Sequence, residues 1–259
     1  MDVISEVEKF YQGYVGNKGV IGYSYLKEPI YFFEVRKTDF PVAIFQYSIH
    51  AREYITAYLA IEQINEFILS GVLGRVFFIP LVNPDGVKIA LEEKPLYKAN
   101  ARGVDLNVNF DARWGTGESN TRIKGDQNYI GEFAFSEPES IALRDFTLKV
   151  EPDFTVSYHS KGEEIYYSFF QDGERAKRDL DFAKAIASVT GYEVKLTPNS
   201  AGGYKDWCIE KLLIPSLTIE VGADTLSHPI QKNKLGDIFS KNKKVVQVAT
   251  EFIGNIDGT

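Results

Sequence analysis

Residues 41–69 read PVAIFQYSIHAREYITAYLAIEQINEFIL, and this stretch decides how the chain folds. It opens with a short apolar run, residues 41–47, that is bounded by proline and a polar turn and predicts a buried strand. In residues 54–69 the apolar side chains recur at helical spacing, which predicts a helix. His50 and Glu53 lie between the two elements. Because they are three positions apart on one helical turn, their side chains should point the same way.

The alternation of strand and helix continues along the chain. Residues 113–131, rich in glycine, asparagine and charge, predict a long surface loop. We expect an α/β fold in one domain, residues 1–259, with a mixed, mostly parallel twisted sheet flanked by helices. The further elements predicted from apolar patterning are strands at 76–82, 154–158 and 216–221, and helices at 136–150, 178–190 and 235–253.

Two polar motifs predict where elements begin or end. Residues 83–86, Asn-Pro-Asp-Gly, follow a predicted strand and indicate a tight structural turn. Ser136, with Glu139 three residues later, indicates a capping box at the start of the helix that follows.

Composition excludes several classes of protein. A net charge of −7 argues against non-specific binding to nucleic acid or to an anionic membrane. No apolar run approaches the ~18 residues of a membrane span, and no basic segment followed by an apolar stretch opens the chain. The single cysteine, Cys208, excludes an internal disulfide and is expected in the core. We therefore predict a cytoplasmic protein with neither a nucleic-acid partner nor a membrane span.

Two more chemically active residues lie at the ends of predicted strands. His159 directly follows the strand at 154–158, and Glu220 lies near the end of the strand at 216–221. In α/β sheets catalytic groups collect at the carboxyl ends of strands, so we expect both to join His50 and Glu53 in one site. Two histidines and a glutamate suit zinc, which keeps a fourth position open for water. A second glutamate would be free for acid–base chemistry, which indicates a metallohydrolase.

Seven short motifs, spread in order over roughly residues 40–225, make this interpretation more specific. Together they resemble the M14 family of zinc carboxypeptidases. Within that family, the segments at 158–163 and 202–207 are similar to the bacterial branch that cleaves γ-D-glutamyl–diaminopimelate bonds in cell-wall peptides. The motifs are HAREYIT (50–56), NPDG (83–86), GVDLN (103–107), SEPE (136–139), YHS (158–160), GGYKDW (202–207) and TIE (218–220).

The resemblance implies a zinc carboxypeptidase-like fold and a centre that binds one zinc ion. His50, Glu53 and His159 would be the metal ligands. Asp105 would accept a hydrogen bond from the outer nitrogen of His50 and so fix its tautomer. Glu220 would act first as general base and then as general acid.

The resemblance also implies residues that meet a short peptide substrate. Arg52 would polarise the scissile carbonyl, and Lys98 or Arg102 would do likewise. Asn107 would bind a substrate carboxylate. Lys205 corresponds to the wall of the specificity pocket, where a lysine favours an acidic substrate group; the alternative is a lysine that faces solvent.

Two positions depart from the family pattern. Val108 stands where the family has an arginine that clamps a free C-terminal carboxylate, and valine offers no bidentate fork. Pro198 stands where animal digestive members have a tyrosine that closes over the substrate. The resemblance therefore identifies the reaction more securely than the substrate.

Three functions remain open at this stage. The first is a zinc metallopeptidase acting on short peptides with acidic or D-amino-acid components, such as cell-wall fragments. The second is a zinc amidohydrolase that deacylates small N-acyl amino acids. The third is a non-catalytic peptide-binding module. The third histidine, His228, is expected to be an ordinary loop residue.

Overall fold

The structure is a computed structural model, and it describes residues 2–256. The strands are β1 (Lys18–Tyr23), β2 (Pro29–Arg36), β3 (Val42–Tyr47), β4 (Arg75–Ile79), β5 (Phe154–His159), β6 (Glu164–Tyr166), β7 (Glu193–Lys195) and β8 (Ser216–Glu220). The helices are α1 (Val3–Gly13), α2 (Ile55–Leu69), α3 (Pro84–Glu92), α4 (Pro138–Val150), α5 (Gly173–Thr190), α6 (Tyr204–Trp207), α7 (Leu235–Asn242) and α8 (Val245–Ile256).

The strands form one mixed sheet in the order β1-β2-β4-β3-β5-β8-β6-β7. Its four central strands, β4, β3, β5 and β8, are parallel, while β1, β2 and β6 join through antiparallel pairs. Every residue of β5 is buried, as expected of a central strand covered by helices on both faces. The predicted fold class is confirmed.

Helices cover both faces of the sheet. Alternate residues of β3 point to opposite sides, so Phe45 and Ile44 belong to different apolar cores. One core receives side chains from α1, α2, α5, α7 and α8, and the other from α4 and α6. Because β3, β5 and β8 are parallel neighbours, their carboxyl ends meet at one edge of the sheet.

Several boundaries differ from the sequence-based predictions. Residues 83–86 are not a free turn but the start of α3, where the Asn83 side chain accepts from the Gly86 backbone N–H at 3.0 Å. Ser136 does not cap α4: the N-cap is Glu137, and the carboxylate of Glu139 accepts instead from the Tyr25 backbone N–H.

Two elements are shorter than predicted. The strand predicted at 76–82 ends at Ile79, before Pro80, which has no N–H to donate to a ladder. The helix predicted at 235–253 is two helices, α7 and α8, separated at Lys243 and Lys244. The long loop at 113–131 contains no regular element apart from an isolated bridge between Thr121 and Tyr129, as predicted.

No helix within residues 2–256 combines the length and the apolar character that crossing a membrane requires. The Cys208 side chain is buried in the core that contains α6, and burial raises the pKa of its thiol to about 12. The predicted core position of this cysteine is confirmed.

Gly202, in the GGYKDW motif, packs against the backbone of Val108, the residue that follows the GVDLN motif. Its φ is +89°, and a β-carbon there would lie 2.8 Å from the Val108 carbonyl oxygen. Gly202→Ala should therefore lower the free energy of unfolding by about 2 kcal/mol or more, since both the backbone conformation and the space require glycine. Urea denaturation measures this loss of stability.

Gly236→Ala, in α7 with no atom within 4 Å of the added carbon, is the control. It should be neutral or stabilising by up to ~1 kcal/mol. Equal effects of the two variants would contradict this account.

Candidate active site

Three buried side chains converge at the carboxyl edge of the sheet. His50 follows β3 and immediately precedes a 3-10 turn, Ala51–Glu53, that leads into α2. His159 is the last residue of the neighbouring strand, β5. The three side chains, His50, Glu53 and His159, present ligand atoms that all lie within 4.8 Å of one another.

The contacts within this cluster are specific. The Nδ1 atoms of His50 and His159 face each other at 3.1 Å. Each oxygen of the Glu53 carboxylate faces one ring: Oε1 lies 2.9 Å from His50 Nδ1, and Oε2 lies 3.1 Å from His159 Nδ1. Two nitrogens bound to one tetrahedral zinc at about 2.05 Å would be about 3.3 Å apart. The observed spacing therefore suits such an ion with little rearrangement.

A second carboxylate orients the first histidine. Asp105 Oδ1 lies 3.1 Å from His50 Nε2, and Oδ2 lies 2.6 Å from Lys98 Nζ. A carboxylate only accepts, so His50 carries a proton on Nε2, which leaves Nδ1 as the nitrogen that could give up its proton and bind a metal ion. The Asp105 side chain also accepts from the Asn107 backbone N–H at 2.9 Å, which anchors it from a second direction.

The electrostatics at His50 favour a positive charge, whereas burial lowers the pKa of His159. Burial opposes protonation of His50, yet the carboxylates of Glu53 and Asp105 raise the pKa of its ring to about 9. Burial would raise the pKa of Glu53, but the facing histidines hold it well below its usual range. Burial also opposes ionisation of Asp105, and Lys98 and His50 nevertheless lower its pKa. Ionised carboxylates that draw a proton onto a buried ring offer the same attraction to a metal ion. The residues present therefore fit zinc.

Glu220 lies beside the cluster on the next strand. It pairs with His159 in the parallel register of β5 and β8, so the two side chains are cross-strand neighbours. Its Oε2 atom is buried and has no hydrogen-bond partner among residues 2–256. Burial and the Glu53 carboxylate hold the pKa of Glu220 well above its usual range. This carboxyl is thus separate from the three converging side chains, and its Oε2 is free of hydrogen bonds within residues 2–256.

The two alternative cations, Lys98 and Arg102, have different contacts in the structure. Lys98 reaches the cluster through Asp105 and also donates to Asn128 Oδ1 at 2.6 Å. The ion-pair partners of Arg102 are instead Glu132 and Glu137, at 3.6 and 3.8 Å, outside the cluster. Lys98, and not Arg102, is therefore linked to the cluster, through Asp105.

Arg52 and Asn107 lie close in sequence to residues of the site, and each has contacts of its own; Arg52 Nη1 lies 3.5 Å from the Leu96 carbonyl oxygen. Arg52 follows His50 by two positions, and its Nε has no hydrogen-bond partner in the described part of the chain. Asn107 Oδ1 accepts from the Tyr204 backbone N–H at 3.3 Å, which ties the Leu106–Val108 turn to α6.

Lys205 does not face solvent. Its side chain is 7% exposed, and its Nζ lies 2.6 Å from Asp206 Oδ1 and 2.8 Å from the Ser168 carbonyl oxygen. An ammonium has three N–H donors, so these two contacts leave one for another acceptor. Val108 is half-buried, and its backbone packs against Gly202.

Sequence reasoning missed one group that contacts the cluster. The Ser160 backbone N–H donates to Glu53 Oε2 at 3.2 Å. The sequence could have indicated this contact, because Ser160 directly follows His159 and therefore shares its surroundings.

A cluster of side chains that could hold a metal ion, at the carboxyl edge of a mixed sheet and beside a glutamate with a buried, unpartnered oxygen, is typical of metal-dependent hydrolases. The family model for zinc carboxypeptidases, Peptidase_M14, matches residues 15–234. The chain belongs to this family, whose members are hydrolytic enzymes. The resemblance identified from the motifs is thereby confirmed.

Similar proteins include bacterial enzymes named for cell-wall peptides. Gamma-D-glutamyl-L-diamino acid endopeptidase 1 of Lysinibacillus sphaericus is 29% identical over 221 residues, which cover 71% of this chain and 55% of that protein. Murein peptide amidase A of Escherichia coli K12 is 31% identical over 153 residues, 55% of this chain and 56% of that protein. This chain thus spans a little over half the length of these relatives.

Solved structures agree with the fold. Carboxypeptidase A from Helicoverpa armigera superposes with a TM-score of 0.84 at 20% identity, covering 99% of this chain and 72% of that one. At this identity the likeness supports the architecture alone.

Proposed function

We propose that this chain is a zinc-dependent metallopeptidase that hydrolyses an amide bond in short, cell-wall-type peptides with acidic or D-amino-acid components. The observation that carries this proposal is the convergence of His50, Glu53 and His159 beside the unpaired carboxyl of Glu220. We propose residues 1–259 as one catalytic domain.

The roles of the side chains follow from their contacts. Zinc, when bound by the three ligands, would polarise the scissile carbonyl and lower the pKa of a bound water to about 7. Glu220 would take the water proton on Oε2 and deliver it to the leaving amine. Asp105 would hold His50 in the tautomer that presents Nδ1. Arg52 and Lys98 would offset the negative charge that develops on the carbonyl oxygen.

The substrate class rests on two positions and on the relatives. Val108 supplies no guanidinium fork for an ordinary C-terminal carboxylate. Lys205 keeps one N–H donor for an acidic substrate group, and Asn107 lies on the adjoining turn. The relatives named for γ-D-glutamyl and murein peptides support the same class of substrate.

Lys205→Met should raise KM for peptides with an acidic side chain about tenfold more than KM for matched neutral peptides. The reason is that one charge-assisted hydrogen bond contributes roughly 1.5–3 kcal/mol. Methionine keeps the apolar stem in place, whereas alanine would also leave a cavity. Steady-state kinetics on paired glutamate and glutamine peptides measures the ratio. Equal changes in KM for both peptides would remove Lys205 from substrate recognition.

The proposed function is tested by a mass-spectrometric screen of the zinc-loaded protein. The substrates are γ-D-glutamyl cell-wall peptides, ordinary peptides with free C-termini, and N-acyl amino acids. We expect cleavage of the first set at the γ-D-glutamyl bond and little turnover of the others. Turnover of N-acyl amino acids alone would favour the amidohydrolase alternative, and binding of peptides without cleavage would favour the binding module. Efficient release of ordinary C-terminal residues would contradict the role given to Val108.

A further inference from the structure

We infer that His228 is a positioning residue for the zinc ligand Glu53, and that it acts through the backbone of Ser160. The inference rests on the proposed function, because that proposal makes Glu53 a ligand. His228 lies in the loop that follows β8, and 68 residues separate it from Ser160 in sequence. It is the third histidine of the chain and has no role in the mechanism above.

The contacts form a continuous chain of hydrogen bonds. His228 Nε2 lies 2.9 Å from the Ser160 carbonyl oxygen and 3.2 Å from the Ser160 hydroxyl. A carbonyl only accepts, so His228 carries a proton on Nε2 and donates it. On the other side of the same residue, the Ser160 backbone N–H donates to Glu53 Oε2 at 3.2 Å. His228 therefore fixes the residue whose N–H holds the carboxylate.

The Ser160 N–H binds the carboxylate oxygen of Glu53 that also faces a histidine of the cluster. Glu53 Oε2 faces His159 Nδ1, while Oε1 faces His50 Nδ1. A rotation of the carboxylate would move both oxygens away from the point where the ring nitrogens converge. Ser160 is 4% exposed, so no bulk water replaces its N–H at that oxygen. Glu53 is thus already ordered before a metal ion binds. Binding then costs less side-chain entropy, which raises the affinity for the metal ion.

The role assigned to His228 is specific to a donor at Nε2. A glutamine reaches roughly as far and ends in an amide that also donates, whereas phenylalanine and leucine fill the space without a donor. This difference separates positioning from simple packing. A packing role would be served about equally well by all three replacements.

The test is zinc affinity, measured by competition with a chromophoric chelator on the full chain. We expect His228→Phe and His228→Leu to weaken zinc binding about 10-fold, the lower end of the range for losing a direct partner of a metal ligand, because His228 acts through Ser160. His228→Gln should recover most of that loss. Ser227→Ala, at an exposed position beside it, is the control and should bind zinc like the wild type. Thermal unfolding of the metal-free variants, compared with the metal-free wild type, shows whether each one folds.

The outcomes are distinguishable from failure of the proposed function. A wild-type protein that binds no zinc would remove the proposed function, and the inference with it. A wild type that binds zinc, with the folded donor-free variants binding within twofold of it, would overturn the inference alone. Glutamine behaving like phenylalanine would also overturn it. If one donor-free variant fails to fold, the other gives the comparison; if neither folds, His228 is a core packing residue and the inference is overturned.

Discussion

Replacing Glu220 with glutamine should lower kcat by about 10²- to 10⁴-fold, the range expected when a general base is removed. Glutamine keeps the size and shape of the side chain but cannot take up a proton from water. The effect should appear in kcat rather than in zinc content, because Glu220 is not one of the three converging ligands. Its free, buried Oε2 is the atom on which this expectation depends.

The control for this variant is Glu193→Gln. Glu193 follows Glu220 and Glu164 in the same row of cross-strand neighbours, but its side chain is 70% exposed and lies on the edge strand β7. Glu193→Gln makes the same chemical change at an exposed position without touching the cluster, so kcat should stay within about twofold. If Glu220→Gln retained full activity with zinc bound, Glu220 would not be the base.

Replacing His159 with alanine should weaken zinc binding by more than 100-fold, because even an outer partner of a ligand is worth 10- to 100-fold. His159 is 1% exposed, and its Nδ1 faces both His50 and Glu53. Without it the site keeps two protein ligands, one fewer than catalytic zinc sites use. Hydrolysis should fall in parallel and should recover only at high added zinc. Chelator competition and initial rates measure the two effects.

Ser157→Ala is the matched control for His159. Ser157 lies two positions earlier in β5, on the same face of the strand, and is also 1% exposed. Its hydroxyl has no hydrogen-bond partner among residues 2–256, so the substitution should leave zinc affinity unchanged. Equal losses in both variants would mean that the strand, and not the ligand, had been damaged.

Local apolar patterns were enough to predict the central strands of the sheet and three residues at the centre of the site. The apolar runs that became β3, β5 and β8 are short and sharply bounded, and His50, His159 and Glu220 lie at or just beyond their carboxyl ends. Parallel pairing then forces these residues together, so the convergence follows from the order of the elements. The contact between His50 and Asp105 was expected only from the resemblance, because no spacing rule connects two residues that are 55 positions apart.

Tertiary contacts explain what the sequence could not show. Asn83 reads as a turn residue, but its side chain closes the first turn of α3 and also donates to the Ile49 carbonyl oxygen. Glu139 reads as half of a capping box, yet Tyr25 and Asn100, both far away in sequence, bind its carboxylate. The Lys205 ammonium pairs with the adjacent Asp206, although neither residue type nor spacing predicts that both are buried. In each case a distant or buried partner overrides a local propensity.

The most direct test of the central claim is removal and restoration of the metal while hydrolysis of a γ-D-glutamyl peptide is followed by mass spectrometry. The account predicts that chelation abolishes hydrolysis and that one equivalent of zinc per chain restores it. The same titration of a His50→Ala or Glu53→Ala protein should restore none. Hydrolysis that continues unchanged after complete removal of metal would contradict the account.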